Sequence, residues 1–534
     1  MIRAVGASRS RTRALCVVVS ALLLAACGGS PTAKSTATTT AASGVPTSSA
    51  DNPNGVLRYG VDMVSSFSGT LDPSASTSIC DSISLALIYD TLVHVNGQGK
   101  LVPGLAESWS LQGKTFILHL RANVVFQDGT PFNAQAVKEG LLHNQKGPQT
   151  GSDLNIISSI DVVNPLTLRL NLSTTAGSVL PYDFTSRDGM IVAPSSLAKG
   201  DSGTDPVGAG PYRFVSEIPG SLISLRRWSH YWDPPAQTLG GIDFIQASSD
   251  APGVSALLAG DIDLLQVDPE ALPAVTDNPA FRTGSSASSS YLQLQFRLGR
   301  PPFNNVKLRQ AVLYAINRSA INRVVLGGKG IVATEVFPPG SAYYVPAVGN
   351  LYPYDPSKAR QLLAEAGKPH GFSFQMVIPG GVTFLEQQAE IIQSELAVVG
   401  IKAQIVEKVS SDIASYYYDG GNGDAFAAEE LGGINPTGVI SGEYDAGQYV
   451  AIKDGGVRPD INALMQQAQS SANPDVEQQD VRQAVAIIAK EALEGPIAFI
   501  PVSIAWNPAH VGGIPVAPAD GCSTIDLSKA YVKR

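Results

Sequence analysis

Segments in which every second residue is apolar recur along the chain, and this alternation predicts β-strands that bury one face. The clearest is residues 166–172, where four leucines alternate with polar residues. Residues 56–61 and 114–121 follow the same pattern less strictly. We therefore predict a strand at each of these three positions.

Residues 372–405 predict a strand, a helix and a second strand in close succession. Apolar residues alternate over 372–378, recur at helical spacing over 384–396, and alternate again over 401–405. Gly400 stands where a helix commonly ends in a left-handed residue. Strand, helix and strand with such short connections form the right-handed crossover unit of a parallel sheet.

Capping residues predict where two further helices begin. Asn305 precedes an apolar stripe that continues through Ala320, so we predict one helix from Asn305 to Gly327. Asp355 precedes Pro356, which places a side-chain acceptor before a proline at the first helical position. Together, these strands and helices predict an α/β fold.

The first 26 residues predict an export signal. Residues 1–14 contain four Arg and no acidic residue, and residues 15–26 form an apolar run. This order is typical of a signal peptide, and the run is too short to span a bilayer. The run leads into Cys27 as Leu-Ala-Ala-Cys-Gly, which resembles the bacterial lipobox and implies that Cys27 carries a lipid. The alternative is an ordinary signal peptide with a chance cysteine.

Residues 27–55 predict a disordered tether. They are almost entirely Ser, Thr, Ala, Gly and Pro, so they offer too little apolar surface to offset their ordering entropy. A flexible chain of this length reaches on the order of 30 Å, which is enough to hold a folded body clear of a membrane. We expect an exported protein that is lipid-anchored on the outer face of the cytoplasmic membrane or lies in the periplasm.

The net charge limits which partners are expected, and the length predicts the number of domains. The formal net charge is −9, and it becomes −13 without residues 1–26, which hold four Arg and no acidic residue. An acidic body argues against a nucleic-acid partner. No second long apolar stretch follows the signal, so we expect membrane contact through the lipid anchor alone. About 480 residues follow the tether, which predicts two or three domains.

Cys80 and Cys522 are the two cysteines of the predicted folded body. In an oxidising compartment such a pair can form one disulfide, which would close nearly the whole body into a loop. Two buried free thiols are the alternative interpretation.

The sequence contains no constellation that indicates an enzyme. Its six His are scattered without metal-ligand spacing, and no Gly-x-Ser-x-Gly motif supplies a serine nucleophile. Paired carboxylates such as Glu429-Glu430 could in principle serve glycoside hydrolysis. With 46 acidic residues, however, chance neighbours are expected. We therefore predict no catalytic residue, no metal site and no cofactor.

A series of motifs gives a more specific indication. In chain order they are YDTLV (89–93), LVPGLAESW (101–109), VFQDGTPF (125–132), PVGAGPY (206–212), ALLAGDID (256–263), PFNNVKLRQA (302–311) and LLAEAG (362–367). Each motif alone is weak, but their common order is specific. The series resembles the family 5 extracellular solute-binding proteins, which are the peptide-, dipeptide- and nickel-type receptors of ABC importers. The resemblance covers essentially the whole body.

The resemblance implies a two-lobed α/β fold of the type II periplasmic-binding-protein kind, often called a Venus flytrap, with an extra subdomain in lobe I. Two crossover segments, near 285–291 and 497–503, would join the lobes. The implied boundaries are 56–285 plus 500–534 for lobe I, about 85–200 for its inserted subdomain, and 286–499 for lobe II. Cys80 and Cys522 would then both lie in lobe I, which fits a disulfide.

The resemblance also implies a function and its partners. A small solute would bind in the cleft between the lobes, and the cleft would close by a hinge motion. The closed protein, expected to be a monomer, would deliver the solute to the permease and ATPase subunits of an ABC importer. No bond in the solute is broken. A cell-surface hydrolase using cleft carboxylates is the alternative, and a sensor or chaperone partner is a third possibility.

The ligand is implied less sharply. In peptide-binding relatives, an Asp of lobe II pairs with the α-amino group of the peptide, and the matching segment here is 427–436. Asn435 stands where an Asp is expected before the proline, so Glu429, Glu430 or Asp424 would have to supply the charge. Tyr291, at the predicted crossover, completes this set of candidate ligand residues. An oligopeptide or dipeptide is the default solute, and a sugar, another amine or a metal complex remains an alternative.

Overall fold

The computed structural model describes residues 51–534 apart from several short segments. Those segments are 64–66, 68, 77, 97–99, 269–270, 410–411, 431, 434, 446–449, 451–452, 454, 472 and 515–526. The predicted signal, Cys27 and Cys522 lie outside the described residues. The lipid anchor and the pairing of the two cysteines therefore stay predictions.

The strands are numbered in chain order. They are β1 (Asp51–Asn52), β2 (Val56–Val61), β3 (Val93–Val95), β4 (Leu101–Pro103), β5 (Ala106–Gln112), β6 (Thr115–Leu120), β7 (Ile157–Asn164), β8 (Thr167–Leu172), β9 (Tyr212–Ile218), β10 (Leu222–Arg227), β11 (Gly241–Gln246), β12 (Leu264–Gln266), β13 (Arg282–Phe296), β14 (Ile331–Val332), β15 (Ser373–Pro379), β16 (Lys402–Lys408), β17 (Ala425–Glu430), β18 (Glu494–Trp506), β19 (Val511–Gly512) and β20 (Tyr531–Lys533).

The α-helices are numbered in the same way. They are α1 (Ser82–Tyr89), α2 (Ala134–Lys146), α3 (Gly151–Leu154), α4 (Leu180–Asp183), α5 (Pro194–Lys199), α6 (Ala251–Ala259), α7 (Leu272–Thr276), α8 (Val306–Ala315), α9 (Arg318–Val325), α10 (Pro356–Glu365), α11 (Thr383–Ala397), α12 (Pro436–Tyr444), α13 (Pro459–Ser470) and α14 (Pro474–Lys490). A π-helix covers Ala414–Asp419. Within the described residues, no helix is both long enough and apolar enough to cross a bilayer.

The main sheet places its two longest strands side by side at its centre. Its order is β16-β15-β17-β13-β18-β12-β2-β11-β10-β9, with β14 added beside β18. On one side of this central pair, the strands β12, β2, β11, β10 and β9 lie between residues 56 and 266 of the chain. On the other side, the strands β17, β15 and β16 lie between residues 373 and 430. We call these two parts of the chain lobe I and lobe II. The strands β13 and β18, which pair antiparallel, run from one lobe into the other.

The pairing between β13 and β18 is interrupted where the strands pass between the lobes. Ala287 is opposite Pro501 and Tyr291 is opposite Phe499, so the register shifts between these pairs. Inside the gap, the hydroxyl of Ser288 donates to the carbonyl oxygen of Ile500 at 3.0 Å. A register shift bends a ladder locally. The crossover segments expected near 285–291 and 497–503 include this interruption, and their role as the connections between the lobes stays a prediction.

A separate four-stranded sheet lies within the predicted insert of lobe I. Its order is β5-β6-β8-β7. Phe116 and Leu118 of β6 and Leu168 and Leu170 of β8 are fully buried, and they pack in one cluster with Val137 of α2. This sheet and helix therefore have a hydrophobic core of their own.

The structure confirms the strands and the crossover unit predicted from the sequence. β2, β6 and β8 match the three predicted strands within one or two residues. β15 and β16 pair in parallel, with α11 between them in the chain. The helix ends at Ala397, and Gly400 has a φ of +87° before the chain enters β16. Both sequence signals, alternation and the glycine stop, are local, which is why they predicted this unit.

One helix prediction was wrong. The single helix expected from Asn305 to Gly327 is two helices, α8 and α9, separated at Ile316 and Asn317. Asn305 caps α8 as predicted, since its side chain accepts from the backbone N–H of Lys307 at 2.9 Å. Asn317 caps α9 in the same manner, accepting from the N–H of Ala320 at 3.1 Å. A second strong capping residue inside an apolar stripe favoured a new helix over continuation.

The predicted tether also extends too far. Asp51 and Asn52 form β1, opposite Lys533 and Val532 of β20. β20 therefore pairs with β1 on one side and with β19 on the other. Residues 51–55 therefore belong to the folded body rather than to the tether.

Candidate functional site

Strand β17 ends in two glutamates that lie beside the crossing strand β13. Glu430 is directly opposite Tyr291, and Glu429 is opposite Leu292. Directly opposed residues of antiparallel strands share a face of the sheet. Glu430 therefore shares a face with Tyr291, whereas Glu429 shares the other face with Leu292, which is buried in the core of lobe II. The structure therefore brings two of the predicted ligand residues, Tyr291 and Glu430, together on one face, whereas Glu429 lies on the other face.

A buried polar layer covers the face that carries Tyr291 and Glu430. The hydroxyl of Tyr291 donates to Glu494 Oε2 at 3.1 Å, and the hydroxyl of Tyr444 donates to Glu494 Oε1. The side-chain amide of Gln293 donates to Glu430 Oε2 at 2.9 Å. Glu494 belongs to β18 and Tyr444 to α12, so this layer joins both crossing strands to a helix of lobe II.

The carboxyl groups here are hard to ionise. Burial raises the pKa of Glu494, although two tyrosine hydroxyls favour its charged form. Burial, helped by the nearby charges of Glu494 and Glu429, raises the pKa of Glu430 to about 8. Burial alone raises the pKa of Glu429 to about 7. In the described part of the chain, no Lys or Arg forms an ion pair with any of the three. A cationic group arriving from outside would therefore stabilise their charged forms.

The loop after β17 lies against the crossing strand because it carries a glycine. A Cβ placed on Gly432 would lie 2.2 Å from the backbone carbonyl carbon of Ser289. The neighbouring Gly433 has no such restriction, since its nearest neighbour would be a methyl group of Val439 at 3.2 Å. Close approach of two backbones requires the missing side chain at 432. The loop that follows the glutamates of β17 therefore contacts β13 at the interruption of the β13–β18 pairing.

Asn435 ends that loop and has two roles. Its side-chain oxygen caps α12, accepting from the N–H of Gly438 at 3.0 Å and from the hydroxyl of Thr437 at 2.9 Å. Its side-chain amide also lies near the carboxylate of Asp183, at the end of α4 in lobe I, and works against the rise in the pKa of that carboxyl. Burial, followed by the charges of Asp188 and Asp153, raises the pKa of Asp183 well above its usual value. Asn435 thus lies at a contact between the lobes.

Asp424 does not join the other predicted ligand residues. It precedes β17, six positions before Glu430, which corresponds to about 20 Å along a strand. Its Oδ1 pairs with Arg300 at 3.2 Å, and its Oδ2 accepts from the N–H of Gln375 at 2.9 Å. These bonds tie β15 to the start of β17. We correct the prediction accordingly, because a carboxylate held by an arginine at the far end of the strand has a structural role.

Some residues of the site were missed by the sequence analysis. Glu494 and Tyr444 are far from the 427–436 segment in the chain, and they reach it through strand pairing and helix packing. The sequence could have indicated Glu494, because it is the one charged residue of β18 and stands at the start of that strand. Cys80 is disulfide-bonded. Its pairing with Cys522 stays a prediction.

The comparisons with known proteins agree with this geometry. Residues 100–440 match the model of the family described as bacterial extracellular solute-binding proteins, family 5, middle part. The chain is 30% identical to the glutathione-binding protein GsiB of Escherichia coli K12 over 350 residues, which are 63% of this chain and 67% of GsiB. The chain belongs to the family 5 extracellular solute-binding proteins.

Solved structures show the same fold. AgaA of A. tumefaciens R10, in complex with agropinic acid, is 26% identical with a TM-score of 0.72, covering 90% of this chain and 99% of AgaA. DppA of Helicobacter pylori, in complex with the peptide STSA, is 21% identical with a TM-score of 0.70, covering 90% of this chain and 98% of DppA. The fold is the two-lobed, mixed α/β fold of periplasmic binding proteins.

Membership of this family establishes the class of activity. The protein is the extracellular or periplasmic substrate-binding component of an ABC transporter: it binds a small solute and works with the other transporter components. The family consists of binding proteins rather than enzymes, so the hydrolase alternative is not supported.

Proposed function

We propose that the protein captures a solute that carries a primary amine, with an oligopeptide or dipeptide as the first candidates. The observation that carries this proposal is Glu430, a desolvated carboxyl group that shares a face with Tyr291 and has no ion-pair partner among the described residues; Glu429 is a second such carboxyl, on the opposite face. An ammonium group placed beside Glu430 would supply the missing cation, and a charge-assisted hydrogen bond is the stronger kind.

The relatives support the same solute class. GsiB is named for glutathione and DppA was solved with a peptide, and both of those ligands have an α-amino group. AgaA was solved with agropinic acid, so the family alone does not fix the ligand. The charge of the site therefore carries the choice of an amine.

Capture would proceed by closure of the lobes. The two connections, β13 and β18, lose their regular pairing between Ala287 and Tyr291, which makes this point the natural hinge. The loop around Gly432 lies against the same point, so movement of the hinge would move the glutamates of β17. The bound solute would then be presented to the permease.

We also propose that Cys27 carries a lipid and that the residues before β1 act as a tether. A receptor held near its permease gains effective concentration from a tether of suitable length. Lobe boundaries near 285 and 499, and a monomeric state, belong to the same proposal.

Native mass spectrometry of the full chain, purified after growth in rich medium, tests the proposed function. The expected result is a co-purifying small molecule with a free amine. A co-purifying molecule without an amine would contradict the choice of solute class.

A further inference from the structure

A second contact between the lobes is centred on Glu477, the fourth residue of α14. Its Oε1 lies 2.8 Å from the hydroxyl oxygen of Tyr182 and 3.0 Å from that of Tyr343. The two hydroxyl oxygens are themselves 3.0 Å apart. Tyr182 is in α4 of lobe I, whereas Tyr343 and Glu477 are in lobe II. Three oxygens from both lobes therefore form a triangle in which every edge has hydrogen-bond length.

The number of available hydroxyl and carboxyl hydrogens decides how many of the three oxygen–oxygen contacts can be hydrogen bonds. Each tyrosine supplies one hydrogen, and an ionised carboxylate supplies none. When Glu477 is ionised, two hydrogens serve three edges, and one oxygen pair is left without a bond. When Glu477 is protonated, three hydrogens serve three edges: the acid donates to one tyrosine, that tyrosine donates to the other, and the second donates to Glu477. The triangle is thus complete only with an added proton.

The surroundings of Glu477 favour that proton. The residue is only 7% exposed, and burial raises the pKa of its carboxyl although both tyrosines donate to it. The charged or titratable groups that face it are the two tyrosines, and Asp480 stands one turn further along α14 with its own pKa raised by burial. None of these groups is a cation.

Further contacts between the lobes surround the triangle. The hydroxyl of Ser178 donates to the carbonyl oxygen of Gln469 at 2.7 Å, and the hydroxyls of Thr175 and Ser470 are 3.1 Å apart. The side chain of Asn435 lies near Asp183 in the same patch. Residues 175–183 of lobe I therefore touch α12, α13 and α14 of lobe II along one continuous surface.

Asp183 provides a second proton-binding group on this surface. The carboxyls of Asp188 and Asp153 raise its pKa further, and the side chain of Asn435, from lobe II, lies near it. Asp188 is 6% exposed, and burial raises its pKa to about 7 although the charge of Arg187 works against that rise. Separation of the lobes would admit water, and water favours the ionised form.

We propose that Tyr182, Tyr343 and Glu477, supported by Asp183, form a latch that takes up protons as the lobes close. These residues are positioning residues: they act on solute capture through closure. The proposal rests on the hinge closure of the proposed function, and its test is done without solute. Because the closed form binds more protons, linkage requires that a fall in pH favours closure. The ratio of closed to open protein changes by up to tenfold for each pKa unit by which closure raises a carboxyl.

Single-molecule fluorescence transfer on the solute-free full chain, measured between pH 8 and pH 5, tests the latch. Dyes are placed at Val163→Cys in β7 and Val398→Cys after α11, both exposed, at 48% and 55%. The wild-type ratio of closed to open protein is expected to rise several-fold as pH falls. Tyr182→Phe is expected to lower the closed fraction at every pH, whereas Tyr344→Phe, a neighbouring tyrosine outside the triangle, is the matched control.

Glu477→Gln separates a proton effect from a merely structural one. A glutamine amide supplies donors and an acceptor at every pH, so this variant should stay closed and lose the part of the pH dependence that Glu477 provides. A wild-type ratio that does not change with pH overturns the proposal. So does a Glu477→Gln variant with the full wild-type pH dependence, or a Tyr182→Phe variant that closes like the wild type. None of these outcomes bears on the amine proposal, because no solute is present.

Discussion

The hydroxyl of Tyr291 donates a hydrogen bond to Glu494 at 3.1 Å, and this bond joins the two strands that connect the lobes. Tyr291 is 2% exposed and Glu494 is 6% exposed, so the bond is shielded from water. It lies next to the place where the regular pairing of β13 and β18 is interrupted. A side-chain bond therefore holds the strands together just where they enter lobe II.

Replacing Tyr291 by Phe should destabilise the protein. Glu494 would keep the hydroxyl of Tyr444 as its donor but lose one of two, at a cost of about 1–1.5 kcal/mol in the free energy of unfolding. Urea unfolding of the variant measures this cost. Tyr314→Phe is a suitable control, because the hydroxyl of Tyr314 takes no part in the polar layer. An equal free energy of unfolding for Tyr291→Phe and wild type would show that the bond contributes nothing.

Glu430 should make solute-free stability depend on pH. Its pKa in the folded protein is raised to about 8, mainly by burial, so the folded protein holds a proton that the unfolded chain has released. Stability should then fall as pH rises from about 5 to 8, and Glu430→Gln should remove part of that slope. Thermal unfolding at several pH values measures it. The prediction fails if the variant and the wild type show the same slope.

Gly432→Ala should be far more harmful than Gly433→Ala, although the residues are neighbours. The new methyl group at 432 would meet the backbone of Ser289 at 2.2 Å, and this clash is relieved only if the loop or β13 moves. Overpacking of this kind costs about 1–3 kcal/mol. At 433 the nearest atom is a side-chain methyl at 3.2 Å, which can shift. Comparing urea midpoints of the two variants checks this prediction, and similar midpoints would contradict it.

The sequence predicted the fold well but the site incompletely. The strands 167–172 and 373–379 and the caps at Asn305 and Asp355 depend on local signals, and all four are present. Asn317, which caps α9, is also a local signal for the separation of α8 from α9. The apolar stripe that continues past it favoured one continuous helix instead. Pattern and capping therefore carry most of the architecture.

The site could not be predicted fully because its parts are distant in the sequence. Tyr291 and Glu430 were named, but Glu494 reaches them by the pairing of β13 with β18, 203 residues away from Tyr291. Asp424 was included because it lies near Glu430 in the chain, whereas the extended strand separates the two in space. Residues six positions apart on an extended strand are far apart in space. The sequence alone also does not show which residue of another strand lies opposite a given residue.

Cys27→Ala should release the protein from the membrane fraction. The lipobox resemblance predicts that the sulfur of Cys27 is the site of acylation, so its removal leaves no lipid attachment. Fractionation of cells followed by immunoblotting measures the distribution. Cys16→Ala, within the predicted signal, is the matched control and should stay in the membrane fraction. If the Cys27→Ala protein is retained like the control, the anchor lies elsewhere.

The central claim is that the carboxyl of Glu430, on the face that carries Tyr291, selects a solute with a free amine. Native mass spectrometry tests it directly, using solute-free protein and an equimolar library of dipeptides and their N-acetylated forms. The account predicts that the retained molecules have a free amine, that Glu429→Gln combined with Glu430→Gln reduces retention at least tenfold, and that Asp424→Asn does not. Equal retention of acetylated and free dipeptides would contradict the account, as would unchanged retention by the double variant.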